Sequence, residues 1–402
     1  MSKIKIPKIS KKILSITESQ TLALTALAQK LKSEGHDVIS LTAGEPDFAT
    51  PQSIKDAAVS AIVQNQTKYT ANQGILPLRE KISEKLKREN GITWSAQNIL
   101  VSNGAKHSIS NVLIAICNPG DEVIIPSPFW VSYPEMVLLA DAKPVILETN
   151  EKNNFEINPK KLEKAITKKT KALILCSPSN PTGAVYSKKT IEAIVKIVEK
   201  TNIFILSDEI YEKIIYDNLK YTSIGSYESI KDLVITINGV SKAYSMTGWR
   251  IGFAAGLKEV IDNAAKIQSQ MTSCPSSISQ HAALKSYSDE IVEVDLMRSE
   301  FEKRRNYFVD AINTIPHVTC IKPKGAFYLF PNIKYYLNKK FNGKTLKTSE
   351  DIVKYFIEEE KLVMVPGDSF GSKNHIRLSY ACSMENLEKA FSRLKSGFSK
   401  LN

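Results

Sequence analysis

Short apolar runs recur through the middle of this chain, at 98–102, 122–126, 171–176, 203–207, 234–237 and 251–255, with helix-like segments such as 107–117 and 190–199 between them. At their centres the runs stay apolar instead of alternating in polarity, so both faces of each strand must be covered. Strands alternating with helices meet that demand as a mostly parallel sheet flanked by helices, and the fold class expected is α/β. The C-terminal part has a different rhythm: one long charged helix over 286–315, a strand-like 325–330, a helix near 350–359 and a strand at 375–380. That pattern predicts a smaller α+β unit. Boundaries near 46–51 and 288 give an N-terminal segment 1–48 that joins the small domain, a large domain 49–288, and a C-terminal part 289–402. In open α/β sheets ligands sit outside the carboxyl ends of the strands, here facing the smaller unit.

The formal net charge of +12 invites a nucleic-acid reading, but the positive residues are spread along all 402 positions with no arginine-rich or aromatic-interleaved block. Solvated surface lysines account for the excess, and no nucleic-acid partner is expected. Cys117, Cys176, Cys274, Cys320 and Cys382 are odd in number and widely scattered, which suggests neither a disulfide framework nor a zinc site. A reducing cytoplasm fits that usage. The basic start has only the apolar stretch 13–16, too short for a secretory signal, and no segment reaches the length of a membrane span.

The chemistry concentrates in 241–252, where Lys242 stands among small residues and Arg250 follows eight positions later. The run 234–240 before it reads as a buried strand, which delivers Lys242 at a strand end instead of on a solvated helix. The chain has 8 arginines against 46 lysines, so an arginine at 250 points to a requirement for guanidinium geometry and not for charge alone. A lysine amine that condenses with an aldehyde, and an arginine fork placed to grip a phosphate, are the parts of a pyridoxal 5'-phosphate (PLP) site. Asp208, at the end of another strand, suits the cofactor's pyridine nitrogen, although an isolated aspartate there is usually a cap. Asn180 and Tyr211 both suit the phenolic oxygen, although the 180–183 segment alone reads as a turn. Gly104, Ala105 and Lys106 leave a strand and open a helix, whose free N–H groups form a phosphate cradle. Trp130 suits stacking on the ring, though an aromatic cluster is by default core. Arg377, on a strand, is a natural bidentate reader of a carboxylate, with a surface ion pair as the plainer alternative.

Eight motifs follow in one order: TAGEPDF (42–48), KYTANQGILPLRE (68–80), FWVSYPEM (129–136), SPSNPTGAVY (177–186), SDEIYE (207–212), NGVSKAYSMTGWRIGF (238–253), PKGAFYLF (323–330) and VPGDSFG (365–371). With these the chain resembles the fold-type I PLP transferases, and more narrowly the class-I aminotransferases of the prokaryotic aspartate aminotransferase subgroup, over nearly its whole length. The resemblance implies a large domain with a seven-stranded sheet. It implies Lys242 as the covalent cofactor lysine and proton shuttle, Asp208 on the pyridine nitrogen, Asn180 with Tyr211 on the phenolic oxygen, Trp130 on the ring, and Ser241 with Arg250 on the phosphate. Arg377 would clamp the substrate α-carboxylate, with Gly44 contributing backbone, while Tyr69 would reach the phosphate of a second subunit in a homodimer with composite sites. Lys106 would read the distal carboxylate of aspartate or glutamate. The turn here is Gly-Ala-Lys where the family usually has Gly-Gly-Lys, which an alanine satisfies if its φ is negative. Relatives that also use prephenate carry a basic residue just before the SxT segment; here that place holds Thr17, which disfavours prephenate.

The expected activity is ping-pong transfer of the amino group from aspartate to 2-oxoglutarate. The nearest rival keeps the fold and changes the preference, to prephenate or glutamate, aromatic or kynurenine-type aminotransfer, or to β-elimination. A PLP-binding regulatory domain of a transcription factor would need an attached DNA-binding unit, for which the short N-terminal segment has no room. A catalytically dead homologue conflicts with the presence of every motif residue.

Overall fold

The computed structural model describes residues 7–401. One sheet has seven strands in the order Ile99–Ser102, Gly252–Ala255, Val234–Gly239, Phe204–Asp208, Thr170–Cys176, Glu122–Ser127 and Lys143–Glu148. Gly252–Ala255 runs antiparallel to both neighbours and the other pairings are parallel. The last strand has no counterpart among the apolar runs. It lies at the sheet edge, three of its six residues are charged or proline, and Pro144 is tolerated because an edge leaves ladder positions unpaired.

The apolar runs are continuous because successive residues pack into different layers. Leu173, Leu175 and Ile205 meet Ile191, Ile194 and Val198 of the helix Lys188–Thr201, while Ile174, Leu206 and Ile235 meet Val112, Leu113 and Ile261 on the opposite face. The helix Lys188–Thr201 begins where the Ser187 side chain accepts from the Thr190 N–H, and ends where Asn202 turns left-handed at φ 54°. Its spacing 191, 194, 195, 198 forms one stripe, and full burial of a residue such as Ile194 stabilises by about 2 kcal/mol.

A second, smaller sheet joins Val365–Pro366, Ile376–Ser379 and Tyr328–Leu329, all antiparallel, beside the helices Val292–Ile312, Ser349–Glu360 and Met384–Ser399. The N-terminal Ile39–Ser40 pairs in parallel with Leu362–Val363, which ties the start of the chain to its last part. The long helix read over 286–315 is two helices, Ser277–Ser288 and Val292–Ile312. The break carries neither glycine nor proline. Asp289 adopts extended geometry (φ −123°, ψ 162°) while Tyr287 and Ile291 on either side are buried in the core. Tertiary burial overrides helix propensity there.

Beneath the turn 207–212 lies a buried ionic cluster. A single π-helical turn, Leu86–Asn90, puts residues five apart on one side, so that the Lys85 Nζ donates to Asn90 Oδ1 at 2.7 Å and also pairs with Glu212. The Asn90 amide donates to Glu209 at 3.1 Å and to Glu212, and the Ser207 and Ser223 hydroxyls donate to Glu209 at 2.8 and 2.6 Å. Burial, with Glu212 beside it, pushes the Glu209 carboxyl up. Lys85 is only 2% exposed, so Lys85→Met strands a buried carboxylate. We expect a loss of about 3 kcal/mol in denaturant unfolding; a loss below about 1 kcal/mol would show that the cluster relaxes around the gap.

Candidate active site

The carboxyl edge of the sheet collects the chain's chemistry because parallel strands all release their ends on that side. Asp208 closes Phe204–Asp208, and Lys242 follows Val234–Gly239 after a short turn. Arg250 arrives by the opposite route. Its strand is antiparallel, so the start and not the end of Gly252–Ala255 lies at this edge, with Gly252 in register between Ser102 and Gly239. A Cβ on Gly252 would collide with the backbone N of Ala105, so glycine permits the first turn of the helix Ala105–Ile116 to sit against this strand. Gly104, at φ +92°, has its missing Cβ space filled by the Arg250 guanidinium. Ala105 is absent from the residues with positive φ and opens the helix, which satisfies the condition set on the Gly-Ala-Lys turn.

A cavity of about 380 Å³ opens at this edge, toward the small sheet. Ala105, Lys106, Ser241 and Arg250 line it together with Trp130, Asp208, Tyr211, Lys242, Gly44, Asn180 and Arg377. Of the residues singled out from the sequence, Gly104 supports the wall without lining it. Tyr69 lies outside the cavity, 93% exposed.

The Lys242 amine donates to the Gly44 carbonyl and stands 5.8 Å from the centre of the Tyr211 ring. Burial, helped by the Arg250 and Arg377 cations and opposed by Glu45 and Asp208, brings its pKa down to about 8. Asp208 is buried and its pKa is raised by desolvation, against which the Tyr133 hydroxyl (2.7 Å) and the Ile210 N–H (3.2 Å) hold the charged form. Such a carboxylate gains from a cation placed against it. The Lys106 ammonium lies 4.9 Å over the Trp130 ring, its pKa lowered by burial and then by Arg250. The Arg250 guanidinium donates to the carbonyls of Thr247 (2.9 Å) and Asn103 (3.3 Å), beside the start of the helix.

Arg377 is 2% exposed, donates to Asn180 Oδ1 at 3.0 Å and to the Thr42 carbonyl at 2.7 Å, and keeps a buried Nε without a partner. Its use of the Asn180 oxygen leaves that amide's two N–H donors for a ligand. An unsatisfied buried guanidinium N–H beside a cavity suits an incoming carboxylate.

The donor set fits PLP. A depressed lysine amine suits an aldehyde, the buried Asp208 suits a protonated ring nitrogen, and Ser241, Arg250 and the free N–H groups after Gly104 suit a phosphate. Sequence reasoning missed Tyr133 as the partner of Asp208, because an aromatic in 129–136 reads as core. It also missed Tyr328, whose hydroxyl meets that of Tyr211 at 2.8 Å across 117 positions. No local signal marks that pair.

The family model for aminotransferase class I and II matches residues 36–394. The aspartate aminotransferase of Bacillus subtilis (strain 168) is 46% identical over 389 residues, covering 96% of this chain and 98% of the relative. The bifunctional aspartate aminotransferase and glutamate/aspartate-prephenate aminotransferase of Petunia hybrida is 45% identical, covering 98% of this chain and 84% of that protein. Among solved structures, the aspartate aminotransferase of Rhizobium meliloti superposes with a TM-score of 0.95 at 40% identity, over 98% of this chain and all of that one. The Thermus thermophilus aspartate aminotransferase with maleate gives 0.92 at 37% identity, with the same coverage. Sequence match, sheet topology and the cavity at the strand ends agree, and the chain belongs to the class I and II aminotransferases.

Proposed function

We propose that the protein is a PLP-dependent aspartate aminotransferase, which passes the amino group of L-aspartate to 2-oxoglutarate and yields oxaloacetate and L-glutamate in two half-reactions. One observation carries the reading: a single cavity joins a lysine amine brought down to about 8 with the buried Asp208 carboxylate and with the cations of Lys106, Arg250 and Arg377. When bound, the cofactor supplies an electron-accepting ring that makes the substrate α-proton removable.

The chain's own residues do the rest. Lys242 would hold the cofactor through its Nζ, and the same amine, when free, would take up and return the substrate α-proton. Asp208, fixed by Tyr133, holds a positive ring nitrogen, while Asn180 and Tyr211 donate to the phenolic oxygen and Trp130 covers the ring. Ser241, Arg250 and the N–H groups following Gly104 take the phosphate. Arg377 grips the α-carboxylate, with Gly44 beside it, and Lys106 takes the distal carboxylate. Lys106→Ala is expected to lower kcat/KM for aspartate about thirtyfold, the worth of a charged hydrogen bond, and to leave alanine within threefold. Equal losses on both would remove Lys106 from substrate reading. The reading as a whole is tested by absorbance of the purified protein with PLP as amino acids are added. No spectral response to aspartate defeats it.

Prephenate is a second acceptor to assay, favoured by the printed name of the Petunia relative and opposed by the uncharged, exposed Thr17. Part of the same proposal is a homodimer in which Tyr69 reaches the partner's phosphate. It is supported by exposed Val59, Ile62 and Val63 on the helix Gln52–Val63, followed by exposed Tyr69 and Leu76. Sedimentation at micromolar concentration tests it. The five cysteines are unpaired, and among the described residues no helix is long and apolar enough to cross a membrane; the compartment proposed is the cytoplasm.

A further inference from the structure

We infer that Tyr328 is a two-part positioning residue, whose hydroxyl sets the proton of Tyr211 and whose ring holds the face of Arg377. The inference rests on the proposed role of Tyr211 toward the cofactor's phenolic oxygen and goes beyond it.

The hydroxyl argument is one of proton counting. The Tyr211 and Tyr328 oxygens lie 2.8 Å apart, both buried, and either oxygen fits as donor by geometry alone. A phenol has one proton. If Tyr211 spends its proton on a ligand oxygen, only Tyr328 can donate within the pair, and Tyr211 must accept. Accepting a hydrogen bond polarises the Tyr211 O–H and strengthens the bond it donates. Burial drives both phenols up, so neither gives up its proton within the working range. The order Tyr328 to Tyr211 to ligand is then the arrangement that leaves no hydroxyl proton idle.

The ring argument is independent of the hydroxyl. Among the described residues the Arg377 guanidinium has two hydrogen-bond partners, Asn180 and Thr42, and its carbon lies 4.5 Å from the Tyr328 ring centre and 5.1 Å from that of Phe370. In a buried site aromatic faces replace the water a cation has lost. Tyr328 sits on the strand Tyr328–Leu329, paired with Ile376–Ser379 where Leu378 meets Leu329, one residue from Arg377. The backbone ladder therefore carries both side chains as one body.

Two substitutions of the cofactor-loaded enzyme separate the parts. Tyr328→Phe removes the hydroxyl and keeps the ring. It should raise the pH midpoint of the visible absorbance change by half a unit or more, roughly threefold or more in proton affinity, with the Kd of the unreactive dicarboxylate succinate within twofold. Tyr328→Leu removes the ring and should weaken succinate about tenfold. In a Tyr211→Phe background, Tyr328→Phe should move the midpoint no further, because its effect runs through Tyr211. A midpoint that moves in Tyr211→Phe but not in Tyr328→Phe overturns the hydroxyl part alone. Succinate weakened equally by phenylalanine and leucine overturns the ring part. A midpoint unmoved by Tyr211→Phe overturns the reading of Tyr211 and this inference with it.

Discussion

Lys242→Ala is expected to abolish turnover, by about 10⁴-fold or more, because in the proposed role one amine serves both as the covalent anchor and as the group that moves the proton. The substitution leaves Asp208, Arg250 and Ser241 unchanged, so the variant should still fold and bind the cofactor noncovalently. Single-turnover absorbance with aspartate checks it, and a variant keeping more than a tenth of the rate would refute the role. The wild-type amine carries a pH signature too. Only the neutral form attacks an aldehyde, and with a pKa of about 8 its neutral fraction rises about tenfold between pH 7 and 9 and then levels. Cofactor capture by the cofactor-free protein should follow that curve. A rate that keeps climbing past pH 10 would belong to an ordinary solvated lysine.

Arg377→Ala is expected to lower kcat/KM for aspartate about a thousandfold, close to 4 kcal/mol, chiefly through KM, from its proposed grip on the α-carboxylate. The residue is buried, its Nε has no partner, and it offers a flat fork that a carboxylate satisfies with two parallel bonds. Arg377→Lys should recover only about a tenth of that loss, because a point charge keeps the attraction and loses the fork. The telling comparison is an amino acid against its decarboxylated amine. Wild type discriminates strongly and Arg377→Ala should not. If discrimination survives, another group reads the α-carboxylate.

The sheet was legible because its strands are buried on both faces, which writes them as continuous apolar runs. Lys143–Glu148 escaped for the converse reason, being an edge strand with solvent on its pattern. The helix read over 286–315 failed at Asp289, where local propensity continues but Tyr287 and Ile291 gain more by entering the core. Lys242, Asp208 and Arg250, which all line the cavity, could be singled out because each stands beside a strand-like run in a motif whose neighbours are small or turn-forming.

Tyr133, Tyr328 and the cluster around Lys85 were not legible, since their partners are 75, 117 and 127 positions away. Which residue types the site needs, and their order along the chain, can be read from the string of letters because strand ends and glycine turns are local signals. Which of them touch was decided only by folding. The antiparallel strand Gly252–Ala255 brings the start of its run, and Arg250 with it, to an edge where the other six strands present their ends. Strand direction is a property of the packed sheet and has no counterpart in the sequence of any one segment.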